Sequence, residues 1–309
     1  LARISIAAMI SGMDIKTLDL NFLSLPDTIA SYLLQGPHGN VLVETGPAST
    51  LPTLRQQLSA HGLQLADIDA ALLTHIHLDH AGAAGWLARE GVQLYVHEVG
   101  APHLIDPSRL LTSAGRIYGE RMDELWGETV AAPPERVTAV GPDEIIDVAG
   151  FSFTALDTPG HAWHHHSYRL GDIAFSGDAA GIRLPGTGLV DLPAPPPEFK
   201  LEIWQHTIER LLDEHLAAIY PTHFGRTEDV TGQLTTLRSL MEESAEFVRL
   251  RLVAGEERDT IVAAYIAWNH QRMRAQGLSD LAIRQYNAAN PLYMSVDGIL
   301  RYWNKKLDR

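Results

Sequence analysis

The chain of 309 residues contains no cysteine, which excludes disulfides, thiolate nucleophiles and cysteine-ligated metals. It also lacks a Gly-x-Ser-x-Gly pattern, so no nucleophile elbow for serine catalysis is present. No internal repeat or low-complexity tract is found. The longest apolar run near the start, residues 4–10, is too short to cross a bilayer, and no basic region or cleavage pattern accompanies it. A cytoplasmic location is the expectation, with a leader removed ahead of Leu1 left open. Positive charge is scarce too: 24 basic residues stand against 38 acidic ones, for a net charge of −14. That balance argues against a broad nucleic-acid surface. The deficit is uneven, because residues 231–309 carry eleven basic and nine acidic side chains, including Arg272, Arg274, Arg284 and Arg301. An anionic substrate would be expected to find its partners there.

What the chain does have is histidine in one place. His75, His77, Asp79 and His80 lie within six residues, after the strand-like run Asp69-Ala70-Ala71-Leu72-Leu73 and before a small-residue stretch leading into a helix at Trp86. Imidazoles suit zinc, iron and similar borderline metals, and an added carboxylate supports a second, open site. In an extended segment His75 and His77 point the same way, since side-chain direction repeats every two residues. Asp79 and His80 are adjacent and can diverge toward another ion only if the chain turns there.

This motif resembles the His-x-His-x-Asp-His signature of the metallo-β-lactamase-fold hydrolases. Thr158-Pro159-Gly160-His161, Ser176-Gly177-Asp178 and Tyr220-Pro221-Thr222-His223 are similar to the family's later ligand loops, and each follows a short apolar run. The resemblance covers roughly residues 15–228, and it is nearest the glyoxalase-II and lactonase-like branch. It implies an α/β fold, a four-layer αββα sandwich with metals at one edge. It implies that His75, His77 and His161 hold one ion, that Asp79, His80 and His223 hold a second, and that Asp178 bridges them. No ligand of the seven is missing, and the cysteine that some β-lactamases of the fold use is absent. Two divalent ions are therefore expected, zinc first, with iron or manganese as alternatives.

A hairpin is expected around residues 35–40, a helix over residues 52–61, a strand over residues 92–96 and two more strands around Gly150. Two regions extend the minimal pattern of a catalytic domain at residues 1–230. A helical insert spans about residues 98–137, with Tyr118, Met122 and Trp126 at helical spacing. A helical C-terminal subdomain spans residues 231–309, with breaks near Ser279 and Pro291. The proline-rich stretch 192–197 reads as a stiff, exposed connector. Tyr118, Met122, Trp126, Trp163 and His165 are the candidate substrate contacts, and the insert and C-terminal helices are expected to face each other across the metals. His97, His206, His215 and His270 show no partner spacing and read as structural or surface residues.

The chemistry expected of two ions sharing a water is hydrolysis, because metal binding lowers the pKa of water from 15.7 to about 7. Metal-bound hydroxide would attack an ester-like carbonyl in a thioester, lactone or related small acyl substrate, with Asp79 as the catalytic carboxylate. The alternative on the same ligands is a di-iron oxidoreductase or an iron-dependent sulfur dioxygenase. A phosphodiesterase or nuclease is disfavoured by the charge. The expected partner is a small molecule, with no nucleic acid and no membrane, and homodimerisation is left open.

Overall fold

A computed structural model describes residues 14–308. The apolar stretch at residues 4–10 lies outside the described residues. Eleven described strands form two sheets. The first holds β1 (Ile15–Asp19), β2 (Ala30–Gly36), β3 (Gly39–Val43), β4 (Ala70–Leu73), β5 (Gln93–His97) and β6 (Val137–Val140), side by side in chain order. Its first two pairings are antiparallel and the rest parallel. The second sheet runs β11 (Ala218–Pro221), β10 (Ile173–Gly177), β9 (His166–Leu170), β8 (Phe151–Asp157) and β7 (Ile145–Val148), with only β10 and β11 parallel.

Period-two alternation divides the apolar residues of each strand between two cores. Ala30, Tyr32 and Leu34 of β2, Val41 and Val43 of β3, and Ala70 and Leu72 of β4 point between the sheets. There they meet Phe153, Tyr168, Phe175 and Tyr220. The intervening Leu33, Leu42, Ala71 and Leu73 point outward and are covered by helices. Strands buried on both faces carry little polar alternation, which is why these segments read as continuous apolar runs.

The outer layer on the first sheet contains α1 (Leu51–Ala60), the single turn α2 (Leu78–Ala81) and α3 (Ala84–Arg89). It continues through the insert as α4 (Ala101–Ile105), α5 (Ser108–Tyr118) and α6 (Met122–Leu125). Leu51, Leu54 and Leu58 of α1 are buried at the expected helical spacing. The insert departs from expectation. Tyr118 ends α5, Gly119 takes φ +54° beyond it, and a short 3-10 turn separates it from Met122. Tyr118, Met122 and Trp126 therefore do not share one helix, because the glycine in a left-handed conformation ends the first segment.

The second sheet is covered by α7 (Leu201–Asp213), α8 (Val230–Val253), α9 (Arg258–Ala275) and, beyond α10 (Asp280–Ala289), which packs on Ile182, Leu184 and Leu189 instead, α11 (Leu292–Lys306). Leu234, Leu237, Met241 and Val248 of α8 pack in one apolar cluster with Leu156, Ala174 and Ile219 of the sheet. Ser279 caps α10 by accepting the Ala282 N–H at 3.2 Å. The C-terminal helices thus share a core with the second sheet. The fold is the four-layer αββα sandwich with a helical extension. No helix among the described residues is long and apolar enough to cross a membrane.

The proline-rich connector is a correction. Leu192, Pro193 and Ala194 are buried, and only Pro197 is exposed. The Ala194 N–H donates to Ser295 Oγ at 3.2 Å, and a side chain at Gly298 would strike the Ala194 carbonyl. α11 seats this stretch against the body because its backbone approaches closely at a glycine.

Candidate metal centre

The candidate ligands come from the ends of four strands, β4 of the first sheet and β8, β10 and β11 of the second, and they meet at one edge of the sandwich. β4 leads into His75 and His77, and the turn of α2 carries Asp79 and His80. His161 lies between β8 and β9, Asp178 directly follows β10, and His223 follows β11 by two residues. The single turn of α2 supplies the divergence that the adjacent Asp79 and His80 require. Gly177, at φ +51°, lets the end of β10 come against Thr74 and His165. A Cβ there would lie 2.5 Å from Thr74 Oγ1 and 2.6 Å from His165 Nε2.

Three ring nitrogens converge in one group. His77 Nδ1 lies 2.9 Å from His75 Nε2 and 3.0 Å from His161 Nε2, and the last two are 3.2 Å apart. In the second group His223 Nε2 is 3.4 Å and His80 Nε2 3.6 Å from Asp79 Oδ2. Asp178 sits between the groups, with Oδ2 3.2 Å from His161 Nε2 and Oδ1 3.6 Å from both His80 and His223 Nε2. The structure brings all seven candidates together, and the triads His75–His77–His161 and Asp79–His80–His223 could each hold an ion.

The hydrogen bonds around the cluster favour that use. Carbonyl oxygens only accept, so the 2.8 Å contact to Pro193 and the 2.7 Å contact to Thr28 place the ring protons of His161 and His223 on Nδ1. Glu44 accepts from His80 Nδ1 at 3.3 Å and from Thr222 Oγ1 at 3.2 Å. It also accepts the Thr74 hydroxyl, which leaves that oxygen to accept from His75 Nδ1 at 3.1 Å. In their neutral form four of the five histidines therefore turn an unprotonated Nε2 inward, the arrangement that outer partners impose on metal-ligating imidazoles. His80 Nε2 and Asp178 Oδ1 are buried with no hydrogen-bond partner. Buried polar atoms normally have one, and this donor set fits a divalent cation.

Charge divides the site in the same way. Burial, reinforced by neighbouring imidazoles, holds His75 and His77 far below the ordinary histidine range. Burial also lowers His161, against the pull of Asp178. For His80 and His223 burial is overcome by carboxylates, Asp79 and Asp178 above all, and both are raised. Burial would raise Asp79, but His80 and His223 outweigh it and bring its pKa to about 2. Asp178 is lowered in the same way. Both carboxylates are ionised at neutral pH.

The centre opens into a cavity of about 400 Å³, lined by His77, Asp79, His161 and Asp178 together with apolar side chains. The insert contributes Leu110, Ile117, Tyr118 and Trp126, and the C-terminal helices contribute Ala289, Tyr293 and Met294, so the two regions do face each other across the metal edge. Trp126 is stacked on Phe22 at 5.8 Å and meets Tyr118 edge-on at 5.0 Å.

Three candidate substrate contacts do not reach the cavity. Met122 packs into the core beneath the insert because the break at Gly119 rotates it away. The Trp163 ring is half-exposed and points outward, while its backbone N–H donates to Glu198 at 3.2 Å. His165 is fully buried below the cluster. Its Nε2 accepts the Asp178 N–H at 3.2 Å and its Nδ1 contacts Thr158 Oγ1 at 2.8 Å, so it holds the Asp178 backbone.

The arginines expected to face an anion are also elsewhere. Arg272 lies over Trp268 and Arg274 pairs with Asp280, and among the described residues no C-terminal arginine lines the cavity. Arg109 and Arg121 of the insert do. His97 was expected to lack partners, yet its ring is 4.5 Å from that of His166. The sequence does not point to Glu44 or Glu198, and of the histidines after His161 it is His164 rather than His165 that lines the cavity, 3.5 Å from Glu198. Nothing local marks Glu44, since its partners lie 30 to 178 residues away.

Comparison with known proteins agrees with this geometry. The profile of the Metallo-beta-lactamase superfamily matches residues 25–223. The chain belongs to that superfamily. A metallo-beta-lactamase fold-containing protein of Sulfurisphaera tokodaii, ST1585, is 26% identical over 199 residues, 62% of this chain and 70% of that one. The lactamase-like protein adaB of Aspergillus niger is 27% identical over 208 residues, 66% of this chain but only 52% of its own length. Among solved structures, the family protein TTHA1429 of Thermus thermophilus superposes with a TM-score of 0.63 at 22% identity. That match covers 97% of this chain and 95% of the other, so the likeness of fold extends through the C-terminal helices.

Proposed function

We propose that the protein is a metal-dependent hydrolase that cleaves an ester-like carbonyl in a small acyl substrate, a thioester or a lactone, with two divalent ions. The observation that carries this reading is Asp178, whose two carboxylate oxygens face two different groups of inward-turned ligand atoms at the floor of one cavity. His75, His77 and His161 would hold one ion and Asp79, His80 and His223 the other, with Asp178 shared. When bound, such a pair supplies water activated near neutral pH and polarises a carbonyl oxygen. The relatives MJ0888 of Methanocaldococcus jannaschii and YqjP of Bacillus subtilis are named probable metallo-hydrolases, which supports the reaction class.

The chain's own residues supply orientation. Asp79 presents an ionised carboxylate to the cavity and can accept a hydrogen bond from the attacking water, aligning it with the substrate carbonyl. Glu44, Thr28, Pro193 and Thr74 keep the imidazoles turned inward, so little reorganisation is needed on binding. The apolar walls from the insert and the C-terminal helices exclude bulk water and receive the acyl group. A cavity of about 400 Å³ lies at the small end of ligand pockets and suits a small molecule rather than a polymer.

The test is elemental analysis of protein purified without added metal, followed by turnover assays on a panel of thioesters, lactones and aryl esters. At least two zinc ions per chain with carbonyl hydrolysis support the reading. Two irons with a visible absorption band and no hydrolysis would move the protein to the oxidoreductase class.

A further inference from the structure

A second cluster of metal-ligating side chains lies away from the seven. His97 is the last residue of β5 in the first sheet, while Asp157 ends β8 and His166 begins β9 in the second. Asp157 and His166 are direct cross-strand partners, and the ring of His97 reaches across the gap to lie 4.5 Å from that of His166. His97 Nε2 is 3.9 Å from Asp157 Oδ1, and each residue offers a ligand atom within 4.8 Å of the other two. Tetrahedral ligands at 2.0–2.1 Å from an ion stand about 3.3 Å apart, so a modest closure would complete the site.

His166 gives the independent indication. Its side chain is fully buried, and neither ring nitrogen has a hydrogen-bond partner. A neutral imidazole must carry one N–H, and leaving that donor and its companion acceptor both unmatched in the interior is costly. The nearby guanidinium of Arg210 is already matched by Asp143 and the Asp157 carbonyl, so it does not fill the role.

We propose that His97, Asp157 and His166 form a separate site for one borderline divalent transition ion, of the zinc, cobalt or nickel kind, which clamps the two sheets together. Two imidazoles and one carboxylate select against calcium and magnesium, which take oxygen ligands. Asp157 is partly exposed and provides the way in.

Binding has a local consequence. His97 Nδ1 accepts the Val99 N–H at 3.0 Å, so the neutral ring carries its proton on Nε2. Ligation through Nε2 moves that proton to Nδ1 and releases the Val99 amide. Val99 is 52% exposed, so water can take over, and it also lines the main cavity.

The experiment titrates chelator-stripped full-length protein with zinc and counts bound ions by elemental analysis, in the native chain and in His166→Phe and Asp157→Ala. The native chain should hold one zinc more than either variant, and its Val99 amide resonance should shift as that last ion binds. A His75→Ala chain should lose zinc from the main centre yet keep this ion and the Val99 shift. Equal zinc counts in the native chain and the Asp157→Ala variant, with a stationary Val99 resonance, would overturn the site.

Discussion

Glu44→Gln is the sharpest test of how the main centre is held. The carboxylate is 1% exposed and takes hydrogen bonds from His80, Thr74 and Thr222 through one oxygen. The amide keeps the shape and one acceptor but loses the charge. A hydrogen bond to a charged group contributes about 1.5–3 kcal/mol, against roughly 0.5–1.5 kcal/mol for a neutral one. The difference falls on His80, whose inward Nε2 is made more electron-rich by a charged partner behind the ring. A loss of about 1–1.5 kcal/mol corresponds to roughly 5–13-fold in metal affinity, at the lower end of what outer-partner substitutions cost. Competition against a chelator of known affinity measures it directly. Because His80 belongs to the group with Asp79 and His223, one ion should weaken and the other should not. If both zinc affinities stay within about twofold of the native chain, Glu44 is merely a space-filling residue and the orientation argument fails.

Asp79→Ala should lower turnover of the best acyl substrate by about 10²–10⁴-fold while the fold is retained, as judged by an unchanged circular dichroism spectrum. Near-native turnover would place water activation elsewhere. Stripping metal with a chelator should abolish hydrolysis and lower the melting temperature, and zinc should restore both, since ligands that bind only the folded chain stabilise it. A melting temperature indifferent to zinc would contradict the assignment. Trp126→Ala removes a ring stacked on Phe22 and should cost about 3–5 kcal/mol in unfolding free energy while raising KM for acyl substrates. An unchanged KM would remove Trp126 from the substrate wall.

Much of the centre was legible because strand ends announce themselves. An apolar run of four or five residues followed by His, Asp or Gly marks where a buried strand surfaces, and four such endings agree with the family motifs whose resemblance supplied the seven ligand candidates. The outer partners were not legible. Glu44 follows β3 as unremarkably as any surface carboxylate, and only the parallel pairing of β3 with β4 brings it under His80. Helical spacing misled at Met122 because Gly119, a residue that periodicity ignores, breaks the helix between Tyr118 and Met122. The connector at residues 192–197 was misread for a related reason. Proline predicts irregular backbone but not depth, and depth here is set by Gly298 on a helix a hundred residues later.

That connector links two properties usually free to vary apart. Its Pro193 carbonyl fixes the ring of His161, while Pro195, Pro196 and Pro197 form part of the cavity wall a few ångströms on. A change there that reshapes the pocket for another substrate also risks tilting a metal ligand. The insert carries less of this double duty, since α5 and α6 line the cavity and, among the described residues, no hydrogen bond or ion pair joins them to any of the seven. Divergence of specificity, in nature or by directed evolution, should therefore accumulate between residues 108 and 126 and leave residues 192 to 197 nearly still.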